Sequence, residues 1–185
     1  LDQFLINKAK KIFLEGDREA ALEVVKNIST PSKALNDLIF DMFNAFMTDK
    51  NLEKAAECIS LTKISEPCET ECTKKFIDEC LSTEQIDTAS KFLIRQLFSL
   101  KLDKFRIQVA EAYFNKKDYK SAVKHMKNSL SFQIEQQKKD LFKKLARALI
   151  DAGQNEDVLK FARECYSLPT ARSAILKELG IEDPQ

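Results

Sequence analysis

Four of the five cysteines, Cys58, Cys68, Cys72 and Cys80, fall close together, and Cys165 stands apart. Four thiolates could hold a zinc ion, and Cys68 and Cys72, four residues apart, would share a face of a helix. The spacing is not the CxxC of a zinc knuckle, however, and no histidine is near. An odd count in a chain of 185 residues also argues against a secreted disulfide framework. The expectation is reduced cysteines packed as small hydrophobes, with no metal bound. His125 is the only histidine and lies among Lys120, Lys124 and Lys127. It is read as a solvated or part-buried side chain rather than a ligand or catalytic base. Glu69/Glu71 and Glu156/Asp157 pair carboxylates, but near helix starts, where acids complement the helix dipole. The chain has no GxGxxG, GxxxxGK[ST], HExxH or GxSxG. No catalytic residue, metal ligand or cofactor is assigned, and the chain is expected not to be an enzyme.

A second set of candidate residues is basic. Lys116, Lys117, Lys120, Lys124 and Lys127 are followed by Lys138, Lys139, Lys143 and Lys144. A solvated face is the plainer reading of such a run; an acidic partner or an RNA surface is the alternative. Across the whole chain 30 basic residues face 29 acidic ones, so no global field draws nucleic acid or anionic lipid. No stretch of 18 apolar residues is present to span a membrane. No signal peptide is visible, and a cytoplasmic location is expected, with Leu1 at the start leaving a fragment or processed form open.

The elements that position these residues announce themselves by repetition. In LEGDREAALEVV, Gly16 stands five residues before Ala21; Lys50 stands so before Ala55, Glu84 before Ala89, Lys117 before Ala122 and Gly153 before Val158. The small residues at 21, 55, 89, 122 and 158 are separated by 34, 34, 33 and 36 positions. A period near 34 over most of a chain is the signature of stacked helix pairs. Each repeat reads as a helix, a tight turn that favours left-handed geometry, and a second helix whose small residue allows close approach. Val25, Ile59, Leu93 and Met126 lie one helical turn beyond the small residue, with Ala162 in the fifth repeat. Only three glycines and four prolines occur, and Pro31, Pro67 and Pro169 fall between repeats, where proline costs little. Ser29-Thr30-Pro31 and Ser65-Glu66-Pro67 read as helix starts, and Ser82 with Gln85 as a capping box.

The pattern resembles the tetratricopeptide repeat. Its best match is VAEAYFNKKDYKSAVKHMKNSL, where Ala110, Tyr113, Tyr119 and Ala122 occupy the family's small and aromatic positions. Ala9, Gly16 and Ala21 match in the first repeat, and Ala146, Gly153 and Val158 in the fifth. Phe43 and Ile77 replace the small residue in repeats two and three, and no repeat keeps the family's tryptophan. The resemblance implies an all-α solenoid of about five antiparallel helix pairs in a single domain. The repeats span 2–29, 31–64, 66–99, 102–132 and 134–168, and a capping helix covers 170–179.

The resemblance also implies a concave surface built by the first helix of each repeat. Its rows are Ile6, Phe40, Lys74, Ile107 and Lys143; then Lys10, Asn44, Asp78, Glu111 and Arg147; then Phe13, Met47, Leu81, Phe114 and Ile150. The last row is apolar throughout. Such side chains either seal the seam between the two helices or line a groove for a partner helix or extended segment. The family's grip on a terminal carboxylate does not carry over, because Ile6 holds the first lysine position and Asp78 and Glu111 lie in the middle. The expected function is a protein-interaction scaffold or adaptor binding a protein or peptide through Phe13, Phe40, Met47, Ile107 and Phe114, oriented by Lys10, Asn44, Glu111 and Arg147. A structural subunit of a larger coat or assembly, and an RNA-binding helical repeat, are the alternatives.

Overall fold

The computed structural model describes residues 1–61, 66–96 and 99–182, with 66–68 as backbone. The described residues are all-α. Five helix pairs follow one another: α1 (Asp2–Leu14) with α2 (Arg18–Lys26), α3 (Lys33–Thr48) with α4 (Leu52–Leu61), α5 (Glu66–Ser82) with α6 (Ile86–Arg95), α7 (Asp103–Asn115) with α8 (Tyr119–Lys127), and α9 (Glu135–Asp151) with α10 (Asn155–Cys165). A last helix, α11 (Pro169–Glu178), closes the series. None of these helices is long and apolar enough to cross a membrane.

One turn, made five times, sets the register. Gly16, Lys50, Glu84, Lys117 and Gly153 all take positive φ, at 96°, 59°, 59°, 62° and 74°. The N–H of each donates to the carbonyl three residues back, on Phe13, Met47, Leu81, Phe114 and Ile150, at 2.8–3.3 Å. The next residue's N–H reaches five back, to Ile12, Phe46, Cys80, Tyr113 and Leu149, at 2.7–3.2 Å. That is the Schellman pair of bonds, which satisfies carbonyls the helix end would otherwise leave without a donor. In three repeats the residue after the turn at once caps the second helix. The Asp17 carboxylate accepts from the Ala20 N–H at 3.0 Å, the Asn51 side chain from Lys54 at 3.3 Å and the Asp118 carboxylate from Ser121 at 3.1 Å. A helix is thus ended and its antiparallel partner begun within a few residues.

The small positions five residues on, Ala21, Ala55, Ala89, Ala122 and Val158, are each fully buried. So are Ala9, Ala110 and Ala146 on the first helices, with Phe43 and Ile77 filling the same position at 1% and 0% exposure.

Two compact units result, Leu1–Thr88 and Ala89–Gln185, the division falling inside α6. The N-terminal unit is built on Leu22, Ile39, Met42, Phe43, Phe46, Phe76 and Ile77. Arg18 at the start of α2 pairs with Asp49 at the end of α3, and Lys50 reaches Glu79 on α5 at 2.5 Å. The C-terminal unit is built on Leu93, Phe105, Met126, Phe142 and Leu145, and α11 adds Ile175 and Leu176, both fully buried.

Two helix starts differ from the sequence reading. Pro31 does not open α3: Ser32 caps it, its hydroxyl accepting from the Leu35 N–H at 3.2 Å, while the Thr30 N–H donates to the Asp2 carboxylate at 3.0 Å. Ser82 and Gln85 form no capping box. Ser82 is the last residue of α5 and its hydroxyl donates back to the Glu79 carbonyl, while the Gln85 N–H closes the Schellman turn. Ser65 and the side chain of Cys68 lie outside what is described of the chain, and the helix expected over 83–99 is α6, which ends at Arg95.

Candidate functional site

The third row of first-helix residues itself carries the carbonyls that the positive-φ residues reach, which fixes its place at the helix ends. Phe13, Met47, Leu81, Phe114 and Ile150 are all half-buried, neither sealed inside nor fully presented. Phe114 leans on the ring of Tyr119 across the α7–α8 turn, with centroids 5.8 Å apart. Phe40 is half-buried beneath the Lys75 ammonium, 5.7 Å above its ring. Ile107 is 9% exposed and packs into the C-terminal unit's core. Lys10, Glu111 and Arg147 are exposed and Asn44 is half-buried.

The acids expected to meet a partner's basic centre already have lysines. Lys144 stands 3.5 Å from Glu111, and Lys74 lies 2.5 Å from Asp78. Lys143 is taken up by Glu178 of α11, so the capping helix neutralises part of the basic cluster.

In the N-terminal unit the first helices α1 and α3 stand apart enough to leave a groove of about 300 Å³. Ile6, Phe13 and Leu38 form its floor; Gln3, Asn7, Lys10 and Leu14 of α1 and Ala34, Asp37 and Asp41 of α3 form its walls. The walls are exposed, so this is an open trough rather than an enclosed ligand pocket. It gathers Phe13 and Lys10 from the sequence reading and adds Asp37 and Asp41, which that reading passed over. Neither aspartate has an ion-pair partner among the described residues. A small residue at 34 with acids three and seven positions on was the available signal: those spacings put all three on one helix face.

The C-terminal unit holds a buried polar cluster that the sequence reading also missed. Asp103, at 0% exposure, pairs with Arg106 at 1%. The other oxygen of Asp103 accepts the N–H groups of Leu130 and Ser131 at 2.8 and 2.6 Å. Arg106 also donates to the carbonyls of Ser99 and Gln96, at 2.9 and 2.5 Å. His125 is buried rather than solvated or part-buried, a correction. Its Nε2 is 2.8 Å from the Ser90 hydroxyl and its ring stacks on Tyr113, because position 125 faces α7 and not the lysines beside it. Burial, then Lys124 and Arg106, push its pKa down to about 4. Lys138 is buried too, its ammonium bonded to the Ser129 carbonyl at 3.0 Å and 5.4 Å above the Tyr166 ring.

These groups anchor joints between repeats. None faces the groove, and their partners are backbone carbonyls and neighbouring side chains rather than open space. The thiols behave similarly. Cys58, Cys72, Cys80 and Cys165 are free and buried, and burial pushes Cys58, Cys80 and Cys165 up to about 12. A thiol held so far above neutral pH is a poor nucleophile and a poor metal ligand. No cluster of three metal-ligating side chains occurs among the described residues.

Five turns with one hydrogen-bonding pattern, each followed by a fully buried small position at the same offset, decide the fold. The described residues form an all-α repeat of antiparallel helix pairs whose turn-and-small-residue pattern resembles the tetratricopeptide repeat. No family model and no curated protein matches the chain. Among solved structures it is similar to the tetratricopeptide-like repeats of a kinesin light chain from Podosopora anserina. Identity there is 13%, over 96% of this chain and 95% of that one, with a TM-score of 0.35.

Proposed function

We propose that the chain is a non-enzymatic protein-interaction scaffold that takes one partner segment on the face built by its first helices. The observation that carries this reading is the row Phe13, Met47, Leu81, Phe114 and Ile150. Five apolar side chains recur at one register position and none is fully buried. The small positions at the same period are by contrast completely buried. Half-buried apolar side chains rimmed by Lys10, Asn44, Glu111 and Arg147 make the kind of surface that gains from covering, with polar groups left to orient the partner.

The test begins with capture of partners from a lysate and their identification by mass spectrometry, followed by Phe13→Ser, Phe114→Ser and Glu111→Lys. Each variant is checked for helicity by circular dichroism. A central apolar anchor should cost the complex about 2 kcal/mol or more when removed. Folded variants that all hold the captured partner as well as the parent would remove the first-helix face as the site.

A second reading, a subunit of a larger assembly, has its own observation. Leu130 and Phe132 are 72% and 92% exposed on the joint that Asp103 clamps, and Leu168 is 67% exposed at the joint before α11. Large apolar side chains presented on a fixed loop suit a contact with another chain. Light scattering separates the readings: self-association abolished by Phe132→Ser favours assembly, and a monomer at all concentrations disfavours contacts between copies.

A further inference from the structure

We propose that the groove between α1 and α3 is the seat of a basic amphipathic helix of a protein partner. Its apolar side chains would rest on Phe13 and Leu38, and two of its cationic side chains would meet Asp37 and Asp41. The inference rests on the scaffold reading and narrows it to one site and one partner chemistry.

The groove supplies the shape. At about 300 Å³ it has the liquid volume of roughly ten waters at about 30 Å³ each, room for a few side chains but not for a buried cofactor. It runs beside α1 from Gln3 to Leu14, about 16 Å at 1.5 Å per residue, or three helical turns. Leu14, 75% exposed at one end, extends the apolar floor onto the wall.

Charge supplies the selectivity. Asp37 and Asp41 are one turn apart on α3, about 6 Å along the axis, which is the spacing of two side chains at i and i+4 on a partner helix. Both carboxylates are exposed and unpaired among the described residues. Two other exposed acids one turn from a lysine do pair with it, Asp78 with Lys74 and Glu71 with Lys75. Lys33, one turn before Asp37, makes no such pair. On the facing wall Lys10 repels cations, so a partner's basic edge is directed toward α3 and its orientation is set.

The test uses two labelled 18-residue helical peptides with the same leucine face. One carries lysine on its polar edges and the other glutamate. Binding is read by fluorescence anisotropy to the parent, to Asp37→Lys/Asp41→Lys and to Phe13→Ser, each verified as folded by circular dichroism. The lysine peptide should bind the parent more tightly than the glutamate peptide, and less tightly as salt rises. The double charge reversal should weaken the lysine peptide at least tenfold and strengthen the glutamate peptide, and Phe13→Ser should weaken both.

Equal affinity for the two peptides, no binding of the lysine peptide, or no effect of the reversal overturns the groove assignment. A benzophenone on the leucine face separates that failure from failure of the scaffold reading. Crosslinks on α7 or α9 without any effect of the reversal would overturn the groove and leave the first-helix face in place. Crosslinks confined to the second helices would overturn both.

Discussion

Removing the Asp103 carboxylate should destabilise the C-terminal unit far more than any surface charge does. Asp103 and Arg106 are effectively fully buried, and between them they engage two N–H groups and two carbonyls of the chain segments that join the repeats. In Asp103→Ala the guanidinium keeps its two carbonyls but loses its counter-ion inside the protein, which costs about 3–5 kcal/mol. The Leu130 and Ser131 N–H groups lose their acceptor, at about 1–3 kcal/mol each if they stay dry. Leu130 is exposed, so water can replace part of that loss. The expected total is about 4 kcal/mol, near the whole stability of a marginal unit.

Asp103→Asn keeps one acceptor oxygen and should cost about half as much, which leaves it measurable if the alanine variant unfolds. Urea unfolding followed by circular dichroism reads both, with a lower midpoint and unchanged slope expected for the transition of that unit. In an Arg106→Met background, Asp103→Ala should cost at least about 1 kcal/mol less than in the parent, because no unpaired cation remains. Glu15→Gln serves as the control. It breaks the exposed Lys11–Glu15 pair at 3.9 Å and should change nothing measurable. If Asp103→Ala and Asp103→Asn both fall within about 0.5 kcal/mol of the parent, as exposed sites do, the clamp does not hold the joint.

His125 makes stability pH-dependent in a defined window. Its folded pKa of about 4 lies below the ordinary 6.5, so the unfolded chain binds more protons between those values. Its contribution is fully present above pH 6.5 and is lost as pH falls toward 4. There the parent should lose about 3 kcal/mol more than His125→Gln, read from urea midpoints across the range. Gly16→Ala should cost about 1–2 kcal/mol for backbone reasons alone. Its φ is 96° and nothing lies within 4 Å of an added Cβ, so a null thermal shift would contradict the left-handed turn. Lys117→Gly, at the same turn position with φ of 62°, should stabilise by up to about 1 kcal/mol in urea. Ala122→Leu, at a fully buried helix contact, should overpack and cost about 1–3 kcal/mol.

The fold was legible because its information is local and repeated. Gly16 and Gly153 mark the turn openly, and the same offset to a small residue then finds it at Lys50, Glu84 and Lys117, where composition alone suggests nothing. The helix starts were less legible because their signals compete. Serine and threonine crowd the joint before α3, and which of them caps depends on Asp2, 28 residues away, taking the Thr30 N–H. The buried polar cluster was least legible of all. Asp103 reads as an ordinary acid at a helix start, since acids favour that position anyway. Its burial is decided by Leu130 and Ser131, one repeat later, and no pattern within its own helix reports that. His125 was misjudged for a related reason: three lysines flank it in sequence, but they lie on other faces of α8.

The same distinction separates what holds this chain together from what it can recognise. Positions that recur at the repeat's period answer to the turn and to helix packing. They are constrained in every repeat, so they say that helices stack but not what they bind. The apolar row recurs at the period and is half-buried, so on the proposed reading it would answer to both demands. Recognition has to be carried by positions that break the period. Asp37 and Asp41 do so: one repeat earlier the corresponding residues are the neutral Gln3 and Asn7, and one repeat later Asp41 is replaced by the basic Lys75. Between α1 and α3 these substitutions leave unpaired acids beside an apolar floor. The proposed partner helix would read these two aperiodic acids, and the charge-reversal titration asks whether it does.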